Sequence, residues 1–187
     1  MPRYIDETRL FEATVAAFAE VGYRATTTQE IAKRSGVNEA TLFRRYGDKA
    51  TLIDAALTHV LAGSPFAHVA ITDDVTADLT ALVRAYAETA QQYGGAVATL
   101  LAEVPRTPEL RGAMAALMPN LTNAAGVIAA HQKAGQLTGG DPLQTLVTLI
   151  APLLVFGLWQ RTGATPTVPD LDASGIVAKF LGGHRVR

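Results

Sequence analysis

Residues 27 to 49, TTQEIAKRSGVNEATLFRRYGDK, constrain the fold more than any other stretch, because they encode two short helices separated by a tight turn. Thr27 is placed to cap the first helix, and Glu30, three residues on, to complete a capping box. Ile31 and Ala32 then face inward. Gly36 supplies the left-handed conformation that stops the helix, and Val37 plugs the turn. Asn38 caps a second helix carrying Thr41, Leu42, Phe43, Arg44, Arg45 and Tyr46. Ala32, Gly36 four residues later and Leu42 six after that meet the needs of a helix-turn-helix. A small residue lets the helices approach, a glycine makes the corner, and a large apolar residue anchors the second helix.

The residues this arrangement leaves outside are small, amide-bearing, hydroxylic or cationic: Thr28, Gln29, Asn38, Ala40, Thr41, Arg44, Arg45 and Lys49. Such side chains suit base edges and phosphates, so the segment predicts a DNA-reading surface. Glu39 is the exception. Its carboxylate repels phosphate unless it accepts from a cytosine amino group or caps its own helix. The net charge of −1 offers no help, since residues 1 to 50 hold eight Lys/Arg against seven Asp/Glu. Any DNA affinity therefore rests on the local cluster Lys33, Arg34, Arg44, Arg45 and Lys49, with few phosphate contacts and a shallow salt dependence.

No segment of the 187 residues alternates with a period of two, so the chain reads as all-α, with about nine helices. Phe11, Val15 and Phe18 lie on one face of a first helix from about Ile5 to Val21, which Gly22 stops, and Tyr23 packs at the corner. Asp48 caps a fourth helix to about Leu61. After a loop to Asp74, a fifth helix runs from about Val75 to Tyr93, ended by Gly94-Gly95, and a short helix reaches Val104. Thr107-Pro108 opens a segment to Lys133 that Pro119 kinks or divides. Asp141-Pro142 starts a helix to Arg161. A Pro- and Thr-rich loop, Thr162 to Pro169, leads to a last helix from Asp170 to Leu181 and a frayed tail.

Cysteine is absent, which excludes disulfides and thiolate metal sites and fits a reducing cytoplasm. The apolar stretch Leu146 to Trp159 falls short of the roughly 18 residues a membrane span requires. None of His59, His68, His131 and His184 stands three or four residues from another ligand, so no metal or other cofactor is expected. Phosphate-loop, nucleophile-elbow and metalloprotease patterns are missing, and an enzyme is not expected.

GVNEATLFRRYGDKATLIDAAL, residues 36 to 57, together with the upstream FAEVGYRATTTQEIAKRSG, resembles the signature of the tetracycline-repressor (TetR) family of bacterial transcriptional regulators. GDPLQTLVTLIAPLLVFGLWQRTG is similar to the family's dimerisation helix. The resemblance implies an N-terminal helix-turn-helix domain, residues 1–50, and a ligand-binding and dimerisation domain, residues 51–187. It implies a homodimeric repressor released from a palindromic operator by a small molecule. Carried over by motif position, Thr28 and Gln29 touch phosphate or a base edge, while Glu39, Ala40, Thr41 and Arg45 face bases. Phe43 meets sugar or a thymine methyl, and Tyr46 and Lys49 hold phosphate. Arg45 is the best candidate for guanine readout.

Effector contacts are expected among the later helices, at Phe66, Tyr86, Tyr93, Met114, Met118, Asn123, Phe156 and Trp159, for an apolar or planar molecule. A helix as apolar all round as Pro142 to Arg161 must be covered on several sides. Leu146, Ile150, Leu153, Leu154, Gly157 and Leu158, with Ile176, Val177 and Phe180, are the expected dimer interface. The main alternative is a ligand-binding or adaptor protein of the same fold that no longer binds an operator.

Overall fold

The computed structural model describes residues 6–163 and 171–184. Among them the chain forms eight α-helices and three 3₁₀ helices, with no β-strand. The helices are α1 (Glu7–Ala25), α2 (Thr28–Ser35), α3 (Glu39–Tyr46), α4 (Lys49–Ala62), α5 (Val75–Glu103), α6 (Met118–Lys133), α7 (Pro142–Arg161) and α8 (Ala173–His184). Two compact units result, each with its own core: residues 1–63 with 93–118, and residues 64–92 with 119–187. Helix α5 contributes to both. The predicted helix start at Ile5, the loop beyond residue 163, the start at Asp170 and the last three tail residues lie outside the described residues.

In the first unit, capping fixes where each helix begins. Asp6 accepts from the Arg9 N–H, Thr27 from Glu30, Asn38 from Ala40 and Asp48 from Thr51, at 2.8–3.1 Å. Leu10 and Phe18 of α1, Ile31 of α2, Leu42 of α3, and Leu52, Ile53 and Leu57 of α4 close one core. Ala96 and Leu100 of α5 belong to it, as do Leu110, Ala113 and Ala116. That last set explains an unusual element. Residues Pro108–Leu117 form a ten-residue 3₁₀ helix, a length rarely reached because 3₁₀ hydrogen bonds are poorly aligned. Its buried residues recur every third position, which matches three residues per turn and keeps all three on one face.

The second unit buries Phe66, then Val75, Leu79, Leu82 and Val83 of α5, Val127 and Ile128 of α6, Leu146, Leu149 and Ile150 of α7, and Val177, Phe180 and Leu181 of α8. Its polar tie is a buried network. The Asp78 carboxylate accepts from the Thr72 N–H and Oγ1, both at 2.7 Å, and faces His131 Nε2 at 2.9 Å. His131 Nδ1 meets Gln136 Oε1 at 2.5 Å, and the Gln136 amide nitrogen donates to the Asp73 carbonyl. Both ring nitrogens of His131 thus face side-chain oxygens, which fixes the ring between α5 and the turn after α6.

Several expectations are corrected or refined. The helical backbone of α1 breaks at Gly22 as expected, with φ 74° and ψ 177°, but one further turn carries the element to Ala25. Helix α5 passes through Gly94-Gly95, because burying Ala96 and Leu100 outweighs about 1 kcal/mol of helix propensity lost per glycine. Of the two outcomes expected at Pro119 the structure shows division: the 3₁₀ helix ends at Leu117, and Pro119 occupies the first turn of α6, where its missing N–H costs nothing. His184 is no frayed end: it stacks on Phe180 and its carbonyl accepts from the Thr138 N–H. The apolar run held too short for a membrane sits in the 20-residue α7. That helix and the stretch Pro108–Lys133 are long and apolar enough to cross one, a test that core helices also pass.

Candidate nucleic-acid interface

Helix α2 ends as its sequence requires. Gly36 takes φ 73° and ψ 18°, and its own N–H and that of Val37 both return to the Ala32 carbonyl. Only half of the capping box forms, since the Glu30 carboxylate takes the Arg34 Nε–H at 2.8 Å. On α3 the single buried residue is Leu42, its anchor. Asn38, Ala40, Phe43, Arg44 and Arg45 are exposed, and Glu39, Thr41 and Tyr46 are half-buried. Phe43 is 50% exposed, an uncommon position for a phenyl ring without an external partner. Gln29 is exposed at the start of α2, and Thr28 beside it is half-buried.

Several of these side chains are engaged within the chain. Thr28 Oγ1 donates to Glu39 Oε1 at 2.6 Å, tying the first residues of α2 and α3 and holding the awkward carboxylate. Arg45 pairs with Glu7 on the first turn of α1, and Arg34 pairs with Glu20 and Glu30. Lys33 and Arg44 are exposed. Exposed pairs of this kind are weak and screened by solvent, so a polyanion can displace them.

Lys49 departs furthest from its expected role. Its ammonium donates to the carbonyls of Tyr23 (2.5 Å) and Thr26 (2.7 Å) and lies 4.2 Å from the centre of the Tyr23 ring. Burial lowers its pKa and the Glu103 carboxylate opposes the shift. The cation serves the end of α1 instead of standing out for a phosphate. Tyr46 packs edge-on to Phe11, with its hydroxyl buried and without a partner among the described residues. Glu7 and Glu103, which the sequence reading missed, leave no local signal, because their partners are 38 and 80 residues away.

The expected effector residues do not gather in one place. Phe66 and Tyr86 pack edge-to-face, 5.3 Å apart, in the second unit. Tyr93 and Met114 border the core of the first, where Met118 is exposed. Asn123 is exposed on α6, and Phe156 and Trp159 pair with each other on the outside of α7. A cleft of about 430 Å³ in the first unit is lined instead by Tyr23, Asp48, Thr51, Asp54, Glu109 and Gly112, among others. Its three carboxylates make it unsuited to an apolar molecule.

Of the expected interface residues, Leu146, Ile150, Val177 and Phe180 point into the chain's own core. Leu153 and Ile176 lie at its edge and Gly157 is half-buried. Leu154 and Leu158 are exposed, joined on α7 by Leu143, Val147 and Val155. The outward apolar face is therefore displaced around the helix from the one expected.

The sequence matches two family profiles. Residues 10–56 match the bacterial regulatory proteins of the tetR family, and residues 69–175 match the tetracyclin repressor-like C-terminal domain. The second match covers more than half of the chain. The chain belongs to the TetR family. It is 44% identical over 50 residues to the HTH-type transcriptional regulator YvkB of Bacillus subtilis (strain 168), an alignment spanning 27% of this chain and 26% of that protein.

Similar solved structures span nearly the whole length of the TetR-family chain. A TetR family transcriptional regulator from Pseudomonas syringae pv. tomato superposes with a TM-score of 0.71 at 20% identity, covering 97% of this chain and 98% of the other. The fatty acid degradation regulator from Bacillus halodurans gives 0.74 at 18%, covering 96% and 100%. A Saccharomonospora viridis protein in complex with choline gives 0.73 at 19%, covering 96% and 97%. At these identities the likeness establishes the fold. Membership makes the protein a transcriptional regulator of the TetR family, one of DNA-binding regulators and not of enzymes.

Proposed function

We propose that the protein is a cytoplasmic, homodimeric repressor whose α3 enters the major groove of a palindromic operator and which a small molecule releases. The observation that carries the reading is α3 itself. It is capped at Asn38, anchored by Leu42 alone, and presents Ala40, Phe43, Arg44 and Arg45 outward. A two-fold pair of such helices requires half-sites about one helical turn or more apart. In this reading Arg45 reads guanine, Thr41 and Phe43 meet base edges or thymine methyls, and Gln29 and Arg44 meet phosphate. Residues 1–50 are the DNA-reading domain and 51–187 the effector and dimer domain, with α4 as the lever between them.

The effector in this reading is apolar or planar and binds among the helices after α4. The fatty acid regulator and the choline complex among the similar structures support a small organic molecule, and Phe66 against Tyr86 offers it an aromatic wall. Binding would favour a state with the two heads misaligned for DNA, lowering operator affinity. The test is anisotropy with duplexes from upstream of the protein's own and neighbouring genes. A specific complex is expected that Arg45→Ala weakens by about 1–3 kcal/mol without changing the dimer. Retention of no specific duplex would leave the adaptor alternative standing.

A further inference from the structure

We propose that Glu103, the last residue of α5, is a positioning residue for the DNA-reading face, pinning the corner from which α2 and α3 emerge. The inference rests on the reading of α3 given above. Gly22 bends α1 with φ 74° and ψ 177°, a conformation essentially restricted to glycine. At that bend the Tyr23 N–H donates to Glu103 Oε2 at 2.8 Å. The carboxylate sits so close that a Cβ on residue 22 would stand 2.3 Å from Glu103 Oε1. The other side of the same short segment is held by Lys49, through the carbonyls of Tyr23 and Thr26. An anion on the N–H and a cation on the carbonyls match the polarity of the peptide groups they grip, and both are of the strong, charge-assisted kind.

What this clamp holds is the lead-in to the reading surface. Thr26 folds back on the Gly22 carbonyl through its N–H and its hydroxyl, and Thr27 caps α2. Thr28 then holds Glu39, the first residue of α3. A hydrogen-bonded path thus runs from Glu103 through the corner to the helix that faces DNA. The segment supplying Glu103 lies outside residues 10–56, which match the helix-turn-helix profile, yet residues 93–118 belong to the same compact unit. The orientation of the head is therefore set in part by a residue 57 positions beyond the end of α3.

The test compares Glu103→Ala, Glu103→Gln and the wild type on a duplex that the wild type enriches from a random pool. Amide hydrogen exchange at Tyr23 and along α2 is followed in parallel. Glu103→Ala is expected to bind about tenfold more weakly and to exchange faster at Tyr23 and α2 but not in α6 to α8, with dimer and helicity intact. Glutamine keeps an acceptor for the Tyr23 N–H and is expected to restore most of the affinity. If Glu103→Ala loses protection at Tyr23 yet binds like the wild type, the corner is merely structural and the inference fails. Should that variant not fold, Glu103→Asp, one methylene shorter, replaces it: weaker binding supports the pin and unchanged binding overturns it. A wild type that enriches no duplex defeats the reading of α3 instead.

Discussion

At the scale of single residues, the reading surface is partly occupied by the chain's own carboxylates. Arg45 leans on Glu7, and Glu39 is held by Thr28. In the proposed reading the phosphate backbone competes with Glu7 for Arg45 and the carboxylate left nearby repels it, so Glu7 weakens every DNA complex alike while a bidentate guanine contact forms only at the right base. Glu7→Gln is expected to raise affinity for a random-sequence duplex several-fold and to steepen the slope of log K against log salt by about one. A salt titration by anisotropy decides it; an unchanged slope means that Arg45 never reaches phosphate. That Ala40, Phe43, Arg44 and Arg45 face out was legible from the helix-turn-helix spacing, whereas the burial of the Tyr46 hydroxyl was not. Lys49 was not, since its role depends on carbonyls that only the bend at Gly22 brings into reach.

At the scale of elements, caps and turns were readable and long-range compensation was not. Thr27, Asn38, Asp48 and Asp141 all cap where the pattern placed helix starts, because capping needs only residues two or three apart. Gly94-Gly95 misled, since burial of Ala96 and Leu100 is a tertiary fact. The histidines show the same limit: spacing compares His131 only with its sequence neighbours, whereas its partner Asp78 is 53 residues away. That pair joins the start of α5 to the end of α6. Burial pushes the Asp78 carboxyl up, but hydrogen bonds from Thr72 and His131 together bring it below its ordinary value. A depressed carboxyl pKa contributes stability that is present above the unfolded value, about 3.9, and fades as pH falls through the lower folded one. Asp78→Asn is expected to cost about 1–3 kcal/mol at pH 7, because an amide NH2 replaces one of the two carboxylate oxygens that accept from Thr72, and much less at pH 2–3. Chemical denaturation of both proteins across that range measures it. An equal cost at both ends would show that the Asp78 charge is idle.

At the scale of the whole molecule, α7 is the element a solitary chain explains worst. It is apolar nearly all round, yet only Leu146, Leu149 and Ile150 are buried, while Val147, Leu154, Val155 and Leu158 remain exposed. Burying a side chain of that size is worth about 1.5–3 kcal/mol, and exposed apolar faces this continuous on a soluble chain mark an interface. In the proposed homodimer a second copy of α7 covers this face across a two-fold axis, so that one patch serves on both subunits. The sequence revealed that the helix was too apolar for a surface but not which side was spare, because that depends on where α8 and the rest of the second unit take hold. Leu154→Glu with Leu158→Glu places two carboxylates one turn apart on the spare face and touches neither core. The double variant is expected to keep its helicity and the pH dependence of its stability, to sediment at half the wild-type mass, and to lose most operator affinity, since two heads on one palindrome gain from being joined. A wild type that already sediments as a monomer, or a double variant that stays dimeric, would assign this face elsewhere.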